Sequence, residues 1–354
     1  MLGEKMTKKL KVFHGLVNYG TQAGLFAKEL RNQGVEAISV VTYDPYKRPV
    51  DVELLHGGSF FQKIFKHTFN TFRKIYWFFN YNTFHFYYGT SLFPYKLDLP
   101  LYRLFNKRVI FHYLGKDVKL YKTSVEKYKI SNMAYSSGTP EEALKKDEKK
   151  TRRLRFETKY SDLQLVCSPI YSEFVAGSQL LLLAIDLDKY KYSSKSVGEK
   201  INLLHAPTSR SNKGTPFIIT AVEKLKNENH KVELKICENI SHDDLLKEYV
   251  KCDVFIDQVL GGYGTAAIEA MALGRPTISY LRDIHFNECT IAGNIPIIRA
   301  HKDNIYDVLK SIINNTEQLP QIGLESRSFV EKHHDIRNVT KKLIDIYKNK
   351  VWKE

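Results

Sequence analysis

The stretch "LGGYGTAAIEAMALGRP", Leu260 to Pro276, decides how the rest of this chain is read. Three glycines, Gly261, Gly262 and Gly264, with Tyr263 among them, lead into an alanine-rich run whose first helical turn begins near Thr265. A glycine turn opening a helix exposes backbone N–H groups at the positive end of the helix dipole. That favours an anion such as a phosphate by about 0.3–1 kcal/mol per charge, and by up to ~2 kcal/mol when partly buried. One carboxylate, Glu269, interrupts the apolar run a turn further on, with Ala266, Ala267 and Ala270 around it. Among such small neighbours it can reach a cleft and accept hydrogen bonds from ribose hydroxyls. The plain alternative is a cap or an ion pair on an exposed helix face.

Outward from this stretch, strands and helices alternate in both directions. Towards the N-terminus the chain reads "LKVFHGLVNYG" as strand and turn, "TQAGLFAKELRNQG" as a helix stopped at Gly34, and "VEAISVVTYD" as the next strand. "TFHFYYG", "KRVIFHYLG" and "SDLQLVCSP" continue the β-branched and aromatic runs. The polar segment Asp186 to Lys200 reads as a linker, after which "INLLHAP", "KVELKIC", "DVFIDQVL" and "RPTISYL" alternate with helical stretches. This predicts an α/β chain of two tandem Rossmann-like domains facing each other across a cleft, residues 1–185 and 186–335, followed by a helical end, 336–354. A chain of 354 residues is long enough for two cores.

Lys and Arg number 54 against 39 Asp and Glu, a balance of +15 that favours anionic partners without choosing among nucleic acid, acidic lipid and phosphorylated small molecules. Cys167, Cys237, Cys252 and Cys289 show neither a CxxC pair nor a short Cys/His spacing, so neither a disulfide framework nor a metal site is expected. "MLGEKMTKKLKVF" lacks an apolar core of signal-peptide type and no run reaches membrane-span length, which gives a cytoplasmic expectation. The charge run "EEALKKDEKKTRRLR", Glu141 to Arg155, reads as a solvated helix face.

Further residues carry possible chemistry. In "LLHAPTSRSNKGTPF" a strand ends and a helix begins, and the junction carries Arg210 and Lys213 ahead of Gly214. Two cations at the carboxyl end of a strand suit a pyrophosphate, Arg210 as a fork and Lys213 as a point charge; the alternative is a solvated surface loop. The turn Gly15 to Gly24, with Gly20 inside it, departs from GxGxxG spacing and reads as the lip of a substrate cleft or as a tight turn. "FHYLGKDV" places His112 and Asp117 after a buried strand, where His112 either meets a polar substrate or packs in the core.

"FFQKIFKHTFNTFRKIYWFF", Phe60 to Phe79, repeats aromatics at helical spacing among Lys63, Lys66, Arg73 and Lys74 without one acidic residue. Such a helix either attracts an anionic bilayer surface, at roughly 1 kcal/mol per cation, or packs its aromatics into the first core. Interleaved aromatics and cations also suit single-stranded nucleic acid, but no accompanying motif supports it, and no nucleic-acid partner is expected.

Taken in order, the Arg210 and Lys213 loop, the glycine turn and the Glu269 helix resemble the GT-B glycosyltransferases, specifically the retaining family 4 group. "TFHFYYGTSLFP", "FHYLGKDVK" and "FVEKHHD" echo the same resemblance. The resemblance implies that Arg210 and Lys213 hold a donor diphosphate, that Gly262, Tyr263, Gly264 and Thr265 present the helix terminus to it, and that Glu269 binds the ribose. It also implies that the terminal helix crosses back to brace the first domain. Three departures stand out: a second acidic residue common in the family falls at Gly261, the spacing from Arg210 to Lys213 is shorter than the more usual Arg, four residues, Lys, and a frequent His falls at Leu114.

The expectation is therefore a metal-independent retaining hexosyltransferase without a cofactor. It would use a UDP- or GDP-type sugar donor and a glycan or lipid-linked hydroxyl acceptor in polysaccharide or glycoconjugate synthesis. Arg210, Lys213 and His112 would take the catalytic roles, Gly20 and Asp117 would line the acceptor side, and the cations of 60–79 would touch the inner membrane face. A sugar-nucleotide epimerase and a non-catalytic partner subunit are the competing readings.

Overall fold

The computed structural model describes residues 9–135, 138–286 and 295–352. The chain forms two compact units: Met1–Lys119 with Glu148–Ala184 and Ile336–Glu354, and Leu120–Asp147 with Ile185–Asp335.

The first unit is built on seven strands: β1 (Lys11–Leu16), β2 (Glu36–Val41), β3 (Val52–Glu53), β4 (Thr83–Tyr87), β5 (Arg108–Tyr113), β6 (Leu163–Val166) and β7 (Gln179–Leu180). They pair in parallel in the order β3-β2-β1-β4-β5-β6-β7. Near-continuous apolar and aromatic runs mark strands covered on both faces, and all five residues of β4 are buried. On one face Val12 and Ile110 pack against Phe26 and Leu30 of the helix Gln22–Asn32 and against Leu343 of the helix Ile336–Ile346. The other face is aromatic, with Phe13, Phe84 and Phe111 against Trp77, Phe78 and Tyr102.

The second unit carries β8 (Ile201–His205), β9 (Val232–Ile236), β10 (Val254–Gln258), β11 (Thr277–Ser279) and β12 (Ile297–Arg299), parallel in the order β12-β11-β10-β8-β9. Leu203, Ile218, Val222, Leu225, Ile256 and Leu309 form its core. Strand order reverses between β8 and β10, and in the first sheet between β1 and β4. Loops diverge at such points and leave a crevice at the carboxyl ends of the strands.

Two segments differ from the sequence reading. Residues 120–147 group with the second unit, although the first domain was expected to run unbroken to 185. The division falls inside the helix Pro140–Tyr160, whose charge run is not wholly solvated: Asp147 and Glu157 are buried. Asp147 accepts the backbone N–H groups of Tyr121 and Lys122, both at 2.9 Å. The expected linker is packed rather than loose. Tyr190 is buried, and Arg275 donates to the backbone oxygen of Ser193 at 2.6 Å.

The helix Phe60–Asn80 forms as expected, and of the two placements weighed for its aromatic stripe it does not take the one packed into the first core. Nine of its large apolar residues are exposed, and among its aromatics only Trp77 and Phe78 are buried. No helix among the described residues is long and apolar enough to cross a membrane. Cys167, Cys237 and Cys252 are buried free thiols, while Cys289 lies outside the described residues.

Candidate functional site

β8 ends at His205, whose buried ring fixes the geometry that follows. Its Nδ1–H donates to the Ile256 carbonyl at 2.7 Å, and its Nε2 accepts the Thr215 hydroxyl at 2.8 Å. The carbonyl can only accept, which assigns the tautomer. Burial pushes the His205 pKa down to about 4, so the ring is neutral near pH 7. β8, β10 and the helix Thr215–Asn227 are thereby tied together where the second sheet reverses its order.

Between β8 and that helix lies the short helical turn Arg210–Lys213. It is closed by Gly214 at φ +79°, where a Cβ would stand 2.5 Å from Val259 Cγ2. Only glycine combines that conformation with that approach. The turn aims Lys213 at Asp257 of β10 in an ion pair whose carboxylate is 1% exposed. The second oxygen of Asp257 accepts the Gly264 N–H at 3.0 Å, one residue before the helix Thr265–Ala272. An ammonium, a carboxylate and a helix N-terminus are thus held together. Arg210 stands outside this group. Its Nε and Nη2 donate to Glu238 at 2.9 and 2.5 Å, a pair on the surface that raises the arginine pKa and lowers that of the glutamate.

One turn into the helix, Glu269 is 8% exposed. Its Oε1 accepts the Tyr190 hydroxyl at 3.0 Å and His242 Nε2 at 3.1 Å, and among the described residues Oε2 has no protein partner. The hydrogen bond to Glu269 raises the His242 pKa above its ordinary value, since it favours the imidazolium. His242 opens the helix His242–Lys251, where Ser241 Oγ accepts the Asp244 N–H at 3.1 Å as an N-cap.

The glycine turn itself is pinned from both sides. Gln258 donates through its side chain to the Gly262 carbonyl, and Tyr263 hydrogen-bonds His334 Nε2 at 3.2 Å. A Cβ at Gly261 would meet Asn132 Nδ2 at 3.2 Å and Gln258 Oε1 at 3.4 Å. The ends of the Asn132 and Gln258 side chains therefore crowd position 261, and any side chain there would displace them by a few tenths of an ångström.

Expected residues of the first unit occupy varied places. His112 of β5 is fully buried, its ring centroid 5.2 Å from that of His85 and 5.6 Å from that of Tyr87. The Leu181 backbone approaches this ring without meeting hydrogen-bond geometry, and burial lowers the His112 pKa to about 3. A neutral, solvent-excluded imidazole inside a sheet is placed to pack, not to meet a substrate. Asp117 is also buried, accepting the N–H groups of Leu114 at 3.1 Å and Gly115 at 2.7 Å. Burial nevertheless pushes its pKa up to about 6, and its carboxylate serves its own turn. Gly20, at φ +53°, follows β1 in a turn whose carbonyl accepts from Gln22 Nε2 at 2.9 Å. Beside it, Tyr19 stacks on Tyr88 at 5.6 Å where β1 and β4 diverge.

Of the four cations on the helix Phe60–Asn80, Lys63 is exposed, and Lys66 donates to the carbonyls of His56 and Gly57 at 3.0 and 3.1 Å. The Arg73 guanidinium lies 5.0 Å from the Trp77 ring centroid, and Lys74 Nζ lies 5.9 Å from that of Phe93. In the second unit the structure joins Lys213 to Gly264 through Asp257 and surrounds Glu269 with Tyr190 and His242. Asp257, Tyr190, His242, Asn132 and Gln258 were not singled out from the sequence. The one local signal for Asp257 is an acid inside the buried strand "VFIDQ".

No family model matches this chain, and no curated protein matches its sequence. Its structure is similar to a glycosyltransferase from Rickettsia africae ESF-5 (TM-score 0.61, 14% identity, 96% of this chain and 98% of that one). It is also similar to HepE from Anabaena in complex with UDP-glucose (TM-score 0.60, 10% identity, 94% and 98%). A putative UDP-N-acetylglucosamine 2-epimerase from Listeria monocytogenes is comparable (TM-score 0.55, 12% identity, 97% and 96%). At such identities the likeness carries the fold: this chain has the GT-B fold of two Rossmann-like units.

Proposed function

We propose that this protein is a glycosyltransferase that takes a sugar from a nucleoside-diphosphate sugar, of UDP type, and passes it with retention to a hydroxyl of a glycan or lipid-linked acceptor. The observation that carries this reading is the paired arrangement at the switch point of the second sheet: Lys213, Asp257 and the Gly264 N–H in one group, Glu269 with Tyr190 and His242 in the next. The GT-B fold shared with glycosyltransferases supports it, as does the UDP-glucose held by Anabaena HepE.

Lys213 has three N–H donors and uses one on Asp257, which holds the ammonium in place with donors left for phosphate oxygens. Arg210 keeps Nη1 outside its contacts with Glu238 and can follow the diphosphate. Glu269 Oε2 would accept a ribose hydroxyl while Tyr190 and His242 fix the carboxylate. As the bond from the sugar carbon to the phosphate oxygen breaks, its electron pair leaves on the diphosphate, and the growing charge is met by Lys213, Arg210 and the helix N-terminus. A β-phosphate oxygen then takes the proton of the attacking acceptor hydroxyl on the same face. In this reading the chain's own cations supply the positive charge, so transfer continues in the presence of a chelator.

The test is a thermal melt with UDP, GDP and ADP. UDP at 100 times its dissociation constant adds about 2.7 kcal/mol to the unit that binds it. Stabilisation by UDP that Glu269→Ala abolishes is the expected result; no stabilisation by any of the three refutes the reading. Similarity to the Listeria epimerase favours one second reading, in which a UDP-sugar is converted without an acceptor and without release of UDP. Product analysis of a UDP-sugar incubated with the protein alone separates the two.

A further inference from the structure

The helix Phe60–Asn80 meets its own unit through Asn70, Lys66 and, near its C-terminal end, the buried Trp77 and Phe78, and turns most of its other apolar residues outward. Polar contacts join Trp77 and Phe78 in fixing the inner side: Asn70 is buried, its Nδ2 donating to the Leu55 carbonyl at 2.8 Å and its Oδ1 accepting the Leu55 N–H at 3.2 Å. Lys66 caps the carbonyls of His56 and Gly57 on the same side. At about 100° per residue, Phe61, Phe65, Phe72, Tyr76 and Phe79 fall together on the opposite side. They are 80%, 67%, 68%, 62% and 59% exposed. The apolar surface continues into a groove of about 480 Å³ between this helix and the sheet edge, walled by Ile38 and Val52 and by Phe69, Phe72, Tyr76 and Trp77, with Arg73 beside them.

We infer that this face docks on an anionic lipid bilayer, the helix lying in the membrane plane with its aromatics at the boundary between headgroups and acyl chains. Charge decides the occupant. Lys63 is exposed and Lys66, Arg73 and Lys74 are half-buried on the sides away from the apolar face, and none of the four makes an ion pair among the described residues, so their long side chains can reach headgroups that flank the inserted face. The helix carries no acid, so a second copy seated on this face would bring a helix equally rich in cations and poor in acids and no counter-charge, whereas anionic headgroups supply one. The net charge of +15 acts in the same direction. The inference rests on this geometry and not on sugar transfer, since vesicle binding is read without turnover.

The experiment is flotation of the full chain with vesicles of phosphatidylcholine and phosphatidylglycerol, against vesicles of phosphatidylcholine alone. The wild type is expected to float with the mixed vesicles, weakly with the neutral ones, and less as salt rises. The variant Phe61→Ser/Phe65→Ser/Phe72→Ser alters only exposed positions; circular dichroism confirms that it is folded. It should bind at least ~10-fold more weakly. Lys63→Gln/Lys66→Gln should lose about fivefold per cation. No partition onto anionic vesicles, or equal flotation of the folded triple-serine variant, overturns the inference. So does a vesicle-indifferent dimer that the triple-serine change converts to monomer, which would make the occupant a second copy.

Discussion

Replacing His112 with leucine should make the first unit more resistant to acid. Three buried histidines, His14, His85 and His112, lie side by side on β1, β4 and β5, with His14 stacked on His85 at 4.8 Å. His14 Nδ1 meets the Tyr87 hydroxyl at 2.8 Å and His85 Nδ1 the Tyr347 hydroxyl at 2.7 Å. Burial pushes His14 and His112 down to about 3 and holds His85 well below the ordinary value. The unfolded chain takes up protons near pH 6.5 and the folded core does not, so stability present above that pH is lost as the pH falls. At pH 5 the loss is roughly 2 kcal/mol each for His14 and His112, about 4 for the two, and His85 adds to it in the same direction.

Asp117 works in the opposite direction. With its folded pKa raised to about 6, the native state holds a proton that the unfolded state has released between pH 4 and 6. This returns roughly 1 kcal/mol at pH 5 and leaves a net loss of about 3 kcal/mol, to which His85 adds. That is a large part of the 5–15 kcal/mol typical of a domain. Removing the His112 titration keeps about 2 kcal/mol of it, and leucine suits the site because His112 makes no hydrogen bond there. Both tryptophans, Trp77 and Trp352, belong to this unit, so urea unfolding followed by tryptophan fluorescence at pH 8 and pH 5 reports on it alone. An equal loss of stability in wild type and His112→Leu would refute the reasoning, because it would mean that His112 accepts its proton within the fold.

Lys213→Ala should destabilise the second unit by about 3 kcal/mol, since it leaves the Asp257 carboxylate buried without its cation. Lys213→Ala/Asp257→Asn should recover most of that in urea melts while UDP binding stays lost, which separates the structural from the functional part of the pair. Glu269→Gln should weaken UDP binding at least ~10-fold by calorimetry, consistent with a lost charged acceptor. In NMR titration His242 should lose its proton above the ordinary histidine pKa in the wild type and near it in Glu269→Gln; an unchanged midpoint would dismiss the pairing. Gly214→Ala should cost about 1–3 kcal/mol in thermal melts, because an L-residue at φ +79° is strained and its Cβ would strike Val259.

The alternation of apolar runs with helical stretches was sufficient for two parallel sheets, and the glycine turn placed a helix start at Thr265, because turn chemistry and periodicity are written in neighbouring residues. Glu269 was legible for a similar reason, as a carboxylate where the helix should be apolar. Its partners were not: Tyr190 lies 79 residues away in a stretch that reads as a polar linker, and His242 lies 27 residues away at the start of another helix. Asp257 is separated by 44 residues from the lysine it binds.

The helix Phe60–Asn80 shows the same division most sharply. Its sequence alone determined that Phe61, Phe65, Phe72, Tyr76 and Phe79 would share one side, since the angle between residues is fixed by the helical repeat. Which side meets the protein was decided by Asn70 and Lys66 reaching the backbone of 55–57 and by Trp77 and Phe78 entering the core, contacts that exist only once the chain has folded. His112 followed the same rule, its strand being plain in the sequence and its exclusion from solvent set by β4, β6 and the layers on either face. Sequence fixes what a residue can do through its local geometry and chemistry. Burial and partnership depend on atoms brought together from distant parts of the chain, and these the tertiary structure alone supplied.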